Sequence, residues 1–305
     1  MQLHHTEQIS RSSLLTRRTN NSMRLKLKSM PLCENKLIKD VKNSYKVKNY
    51  YTILSTIGWG TYAKVYLAKS KTDNSTVAIK CSKGATSGEM LRKEYEILRS
   101  FDDPLIPKAI EFNKSDLYNT SYLVMEYFKG QTLEDFILEK GTLQNEQALA
   151  WLKTLASCVD RLHKLGIAHR DIKPQNILIN GKFEVKLIDF NISKKGKDSE
   201  NSSKFTKRFM TQVSSPLFAA PEIYSPDCYS ESVDIWGLGI VFITMIFGMK
   251  IFSGKNIQSW QIKHQKFIDT VQLDESSDIV KYIISISLAY TPEDRATASE
   301  LSACI

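Results

Sequence analysis

With 305 residues, 42% of them hydrophobic and 25% charged, the chain has the composition of a globular protein with a sizeable core, which excludes a fibrous, low-complexity or wholly disordered polypeptide. The longest uncharged apolar stretch, Ile235 to Met249, has fifteen residues, short of the roughly 20 that a bilayer-spanning helix needs. The formal charge is +9, and residues 1–50 hold 11 Lys and Arg against 3 Asp and Glu, so the head is basic and the body nearly neutral.

Residues 1–48, with Arg17, Arg18, Arg24, Lys26 and Lys28 set among Ser, Thr and Asn, show no sustained apolar period and read as a disordered tail. Three readings of this tail stand side by side. It is a solvated linker, an arm with weak affinity for an anionic partner such as nucleic acid or a membrane surface, or an Arg- and Ser-rich organellar import sequence; the missing amphipathic period counts against the last. From Tyr51 the pattern changes to short runs rich in β-branched and aromatic residues. Tyr51–Ile57, Tyr62–Ala68, Thr76–Cys81 and Tyr122–Tyr127 predict strands, and Ser87–Ser100, with Met90, Leu91, Ile97 and Leu98 at helical spacing, predicts a helix between the last two. After Gly130 the period lengthens. Ala148, Leu152, Leu155, Val159 and Leu162 recur on a helix that Gly166 should cap, and Val233–Phe247, apolar nearly all round, predicts a helix buried in the core of a large lobe. The expected fold is α+β and bilobal: an N-lobe of about 49–128 with an antiparallel sheet and one helix, and a larger, mainly helical C-lobe of about 129–305. No internal repeat breaks this division.

Gly58, Gly60 and the small Ala63 lie between two predicted strands, and Lys80 closes Val77-Ala78-Ile79-Lys80 on the next one. A glycine-rich hairpin lets backbone N–H groups approach phosphate oxygens, and an ammonium on the adjoining strand neutralises them; an ordinary turn has the same glycines, so this feature alone decides nothing. A dinucleotide-binding motif is excluded because it must lead into a helix, whereas Tyr62–Ala68 is strand-like. A nucleotide-hydrolase phosphate loop fails as well: Gly248 to Gly254-Lys255-Asn256 has one spacer too many, and Asn where Ser or Thr must hold magnesium. Glu94 has Met90, Leu91, Ile97 and Leu98 at −4, −3, +3 and +4, which puts its carboxylate on the buried face of its helix, where it needs a cation. Lys80 is the expected partner. Glu96, among Arg92, Lys93 and Arg99, reads as a solvated residue with surface ion pairs.

The densest cluster is His169-Arg170-Asp171-Ile172-Lys173-Pro174-Gln175-Asn176, followed thirteen residues later by Asp189-Phe190-Asn191. On these motifs the chain resembles a eukaryotic protein kinase of the serine/threonine type, from about Tyr51 to Leu301. The resemblance implies transfer of the γ-phosphoryl group of ATP, with Mg2+, to a Ser or Thr hydroxyl of a protein substrate. It makes Asp171 the proton acceptor and Lys173 the neutraliser of the transferred group, with Asn176 and Asp189 as magnesium ligands. It gives the nucleotide Lys80, fixed by Glu94, together with Ile57, Gly58, Gly60, Val65, Ala78, Leu178 and a hinge at Met125–Phe128 that contributes Glu126 and Phe128. Glu222 of Ala220-Pro221-Glu222 is expected to pair with Arg295, and Asp234 to brace the catalytic loop.

Lys173 and Ser215 match the serine/threonine branch, and the uncharged Gln175 and Thr132, where basophilic members commonly carry acids, imply no strong basophilic preference. Phosphorylation at Thr211 or Thr206, by an upstream kinase or by the protein itself, would place a phosphate within reach of Arg170. Two positions depart from the family pattern: Ala63 stands for the third loop glycine, and Asn191 for the glycine after Asp189-Phe190, where Asn would tolerate a positive φ. The alternative reading is a pseudokinase, a nucleotide-binding or scaffolding module that transfers nothing. Five cysteines, an odd number without a Cys-x-x-Cys pair, point to a reducing, cytoplasmic or nuclear setting, and no C-terminal regulatory domain is expected after the last kinase helix.

Overall fold

Alternation of side chains along five strands builds the first layer. In the computed structural model, which describes residues 45–115, 120–195, 218–224, 230–249 and 277–305, strands β1 (Tyr51–Trp59), β2 (Ala63–Ser70), β3 (Thr76–Ser82), β4 (Ala109–Ser115) and β5 (Thr120–Glu126) pair antiparallel in the order β1-β2-β3-β5-β4. One side-chain set, Tyr66, Ala68, Val77, Ile79, Cys81, Tyr122 and Val124, forms an apolar cluster on the outer face, closed by Val47 of the short helix α1 (Tyr45–Tyr50). The alternate set, including Val65, Ala78, Lys80 and Leu123, points to the inner face. There α2 (Ala85–Arg99) packs Met90, Leu91, Ile97 and Leu98 into the same core as Leu123. The four strands and the helix expected from the sequence are all present, and β4 is an addition.

The remainder is mainly helical, as expected, and the bilobal α+β class is borne out. A two-residue strand β6 (Gln131–Thr132) leads into α3 (Leu133–Lys140), whose first turn is capped by the Thr132 hydroxyl accepting from Asp135 N–H at 3.0 Å. Helix α4 (Asn145–Lys164) buries Ala148, Leu152, Leu155, Val159 and Leu162, and stops before Gly166, which takes a left-handed φ of 70°. Short strands follow: β7 (Ile167–Ala168), β8 (Ile177–Ile179), β9 (Val185–Leu187) and β10 (Lys194–Lys195), with β6-β8-β9 forming one sheet and β10 pairing with β7. Helix α5 (Ser232–Phe247) is buried from Val233 to Met245, and α6 (Asp278–Ser287) and α7 (Ala298–Ala303) complete the lobe. Among the described residues no helix is long and apolar enough to cross a membrane. Thr206, Thr211, Ser215, Lys255 and residues 1–44 lie outside the described residues.

Gly237 fixes how closely α5 approaches the loop between β7 and β8, because a Cβ there would meet the Cβ and carbonyl oxygen of Ile172 at 2.8 Å. Backbone cannot yield as a side-chain tip can. Gly237→Ala is expected to destabilise the protein by about 1–3 kcal/mol through this overlap, read as a lowered midpoint in urea denaturation.

Candidate active site

Lys80 stands on the inner face of β3, paired across the strand with Val65 of β2 and Leu123 of β5. Its ammonium donates at 2.8 Å to both carboxylate oxygens of Glu94 on α2 and at 2.8 Å to Oδ1 of Asp189, which follows β9. One positive charge is thus shared by two negative ones. Burial works to lower the Lys80 pKa, but the carboxylates outweigh it and the ammonium is held above its ordinary value. Asp189 is pulled the other way: burial raises it, the charge of Lys80 prevails, and it titrates below the usual carboxylate range. Glu94, with only 2% of its side chain exposed, is pushed up by burial, because the single ammonium cannot fully compensate both acids.

The second cluster is local in sequence. Lys173 Nζ donates at 2.8 Å to each carboxylate oxygen of Asp171, and Asn176 Nδ2 donates at 2.8 Å to the Asp171 backbone carbonyl and to its Oδ2. Burial raises the Asp171 carboxyl above its ordinary value, with Lys173 opposing. Ile188 N–H donates to the Asn176 carbonyl at 2.9 Å, and that bond joins the two clusters through the backbone. Asn176 gives its NH2 to Asp171 and Asp189 gives Oδ1 to Lys80, so Asn176 Oδ1 and Asp189 Oδ2 are the oxygens outside these bonds. Two hard oxygens on adjoining segments suit magnesium, which takes one or two protein ligands and fills the rest from water and phosphate.

A buried scaffold holds this loop in an uncommon backbone shape. Arg170 has a φ of 69°, and its N–H is accepted by Asp234 Oδ1 at 2.6 Å, while Oδ2 accepts from His169 N–H at 2.8 Å and His163 Nε2 at 2.9 Å. Three donors on one fully buried carboxylate hold the strained residue in place. Burial raises the Asp234 carboxyl, yet the hydrogen bond and charge of His163 and the Arg170 N–H outweigh it and bring its pKa below the ordinary value. His169, lowered by burial, is neutral. Its Nδ1 accepts from Asp171 N–H at 3.2 Å, so the proton sits on Nε2, which donates to the Ile188 carbonyl at 3.1 Å.

The structure brings together Lys80, Glu94 and Asp189, and separately Asp171, Lys173 and Asn176. Gly58 pairs with Val65 across the hairpin, and Val65 and Ala78 lie on the same sheet face as Lys80. Ile57 is 43% exposed at the end of β1, and Leu178 of β8 points opposite to the buried Ile177 and Ile179. Glu126 is engaged by residues that the sequence reading missed: Lys186 Nζ donates to its Oε2 at 2.9 Å and Lys108 N–H at 3.3 Å, and Lys186 lies 5.8 Å from the Phe128 ring centroid. Lys186 alternates with Val185 and Leu187 in a three-residue strand, too short for its inward turn to be read from periodicity. Gln175 donates to Glu134 at 2.6 Å, so a carboxylate stands beside the position that lacks one in sequence. In Asp189-Phe190-Asn191 the left-handed residue is Asp189, with φ 71°, and Asn191 is not among the positive-φ residues, so the tolerance of Asn for that conformation is not what its position requires.

Residues 51–304 match the protein kinase domain family. The chain belongs to it. A carbon catabolite-derepressing protein kinase of Secale cereale is 33% identical over 269 residues, covering 85% of this chain and 51% of that protein. The serine/threonine protein kinase OSK3 of Oryza sativa subsp. japonica is 33% identical over 267 residues (85% and 50%), and the SNF1-related protein kinase catalytic subunit alpha KIN12 of Arabidopsis thaliana 32% over 256 residues (82% and 50%). The chain thus spans about half the length of the curated relatives it matches. As a protein kinase domain, it has Glu222 and Arg295 in a bidentate pair at 2.6 and 2.8 Å, which pins the segment before α5 to the one after α6.

The Asp234 scaffold carries a stability test with a defined sign. Asp234→Asn turns an NH2 toward backbone donors and is expected to lose about 1–3 kcal/mol at neutral pH. Because the folded-state pKa is depressed, the advantage of the parent is complete above the ordinary Asp value of about 3.9 and shrinks as pH falls through the lower folded value. Urea titrations of both proteins across pH 2 to 7 measure it.

Proposed function

We propose that this chain is an ATP- and magnesium-dependent serine/threonine protein kinase whose transfer site is formed by Lys80, Asp171, Lys173, Asn176 and Asp189. The observation that carries the reading is the single Lys80 ammonium held at 2.8 Å by Glu94 and Asp189 on the inner face of the sheet. Glu94 holds that ammonium in place with two of its three donors, and exchange of the third from Asp189 to a phosphate oxygen would give the charge neutralisation and positioning that phosphoryl transfer requires. Asn176 and Asp189 would hold magnesium, which supplies positive charge to the phosphate oxygens. Lys80 would grip the α- and β-phosphates, with Ile57, Gly58, Gly60, Val65, Ala78, Glu126, Phe128 and Leu178 bounding the nucleotide. Asp171, oriented by Asn176, would accept the proton of the incoming Ser or Thr hydroxyl. Lys173, already beside that carboxylate, would neutralise the transferred group.

The same reading gives the kinase domain the span 49–305, with lobes at about 49–128 and 129–305, to which α1 (Tyr45–Tyr50) adds the buried Val47 at the N-terminal edge. It places Thr211 or Thr206 as the phosphorylation site that Arg170 would receive, the basic tail as a solvated linker or an arm with weak affinity for an anionic partner, and the protein in the cytoplasm or nucleus.

Incubation with labelled ATP, Mg2+ and a generic basic protein is expected to give labelled Ser and Thr. Asp171→Asn should lose at least about 100-fold in kcat while still binding nucleotide, the scale of a removed general base. Equal labelling in parent and variant would refute the proposal. The pH profile offers a second check. Asp171 acts only when ionised and burial raises its pKa, so the acid limb of kcat/KM should lie above the ordinary Asp value of about 3.9 and activity should fall as pH drops through it.

A further inference from the structure

The hairpin between β1 and β2 is braced by the side chains of Lys83 and Trp59. Gly60 N–H donates to the Ala63 carbonyl at 3.0 Å and closes the turn. Lys83, just past β3, grips that turn twice: its N–H donates to the Tyr62 carbonyl at 3.0 Å and its Nζ to the Gly60 carbonyl at 2.6 Å. The Trp59 ring, 48% exposed, has Lys64 Nζ at 4.3 Å and Lys83 Nζ at 4.4 Å from its centroid, so two ammonium groups lie on one aromatic face system.

Position on the sheet gives this arrangement its consequence. Lys64 alternates with Val65 and shares the outer face with Tyr66, whereas Lys80 points inward, and the Lys83 ammonium reaches the same Trp59 ring as that of Lys64. The Gly60–Thr61 peptide is planar and trans, so the Thr61 N–H points opposite to the carbonyl that Lys83 holds.

We propose that Lys83 and Trp59 are positioning residues for the phosphate-binding loop, acting from the outer face of the sheet to hold the Gly60–Thr61 peptide in the orientation that receives nucleotide phosphates. This rests on the reading of the loop as a nucleotide clamp, and it assigns neither side chain a contact with the nucleotide. Lys83 keeps the carbonyl in place, and Trp59 keeps Lys83 in place.

The test is steady-state kinetics of Lys83→Met and Trp59→Ala, with direct binding of a fluorescent ATP analogue and thermal melting. Each variant is expected to raise KM for ATP about three- to tenfold with kcat changed less than about twofold and KM for the protein substrate unchanged. Lys83→Arg and Trp59→Phe should restore KM, since a guanidinium still donates and a phenyl ring still offers a π face. The double variant should match the worse single one, because the two residues act through one contact. Lys83→Gln takes the place of Lys83→Met if the latter does not fold. An unchanged KM for ATP in the single variants, or fully additive losses in the double, would overturn the inference. Lys80→Met separates the two levels: if it weakens analogue binding while the outer-face variants do not, only this inference fails. If parent and Lys80→Met bind the analogue equally, the clamp reading fails with it.

Discussion

One ammonium between two carboxylates organises the molecule. Lys80 belongs to the sheet, Glu94 to α2 and Asp189 to the segment after β9, so the electrostatic requirement of a buried lysine ties three separately built pieces to one point. The tie extends further. Phe190 N–H lies 3.3 Å from Glu94 Oε1, the Phe190 ring stands edge-on to His169 at 4.6 Å, and His169 is bound through its N–H to Asp234. A continuous path of polar and aromatic contacts therefore runs from the helix of the small lobe to the pillar of the large one.

The path includes two left-handed residues, Arg170 and Asp189, each next to a cluster of charged side chains. Neither is glycine, and each conformation survives because its surroundings over-determine it. Asp234 supplies acceptors at the first, and Lys80 supplies a donor at the second. Strain and compensation occur at the same places, which is why the polar groups of the site are so fully committed to one another before any substrate arrives.

Much of the fold was legible in the sequence because its signals are local and periodic. Four of the five strands of the first sheet, the buried helix α5 and the inward face of α2 follow from spacing alone, and Glu94 could be matched to Lys80 because an acid on an apolar face needs a cation. Strand β4 was not legible: Ala109-Ile110-Glu111-Phe112-Asn113-Lys114-Ser115 is an edge strand with a bulge, and it lacks a clean alternation. Helix α3 has eight residues and two buried positions, too few for a period to emerge. The residues that bring the candidate site together were legible as a motif, whereas Lys186, Glu134 and Lys83 were not, because their contacts depend on which way short strands and turns face. That Asn191 lies outside the left-handed region also depends on a backbone angle that no spacing encodes.

The helix ahead of β1 has a practical meaning for where the folded unit starts. Family similarity begins at residue 51, yet Val47 is 1% exposed and seals the apolar cluster on the back of the sheet. A shortened protein cut at the similarity boundary would lose that plug and open the apolar cluster to water, on a surface that sticky partners or another copy of itself could then cover.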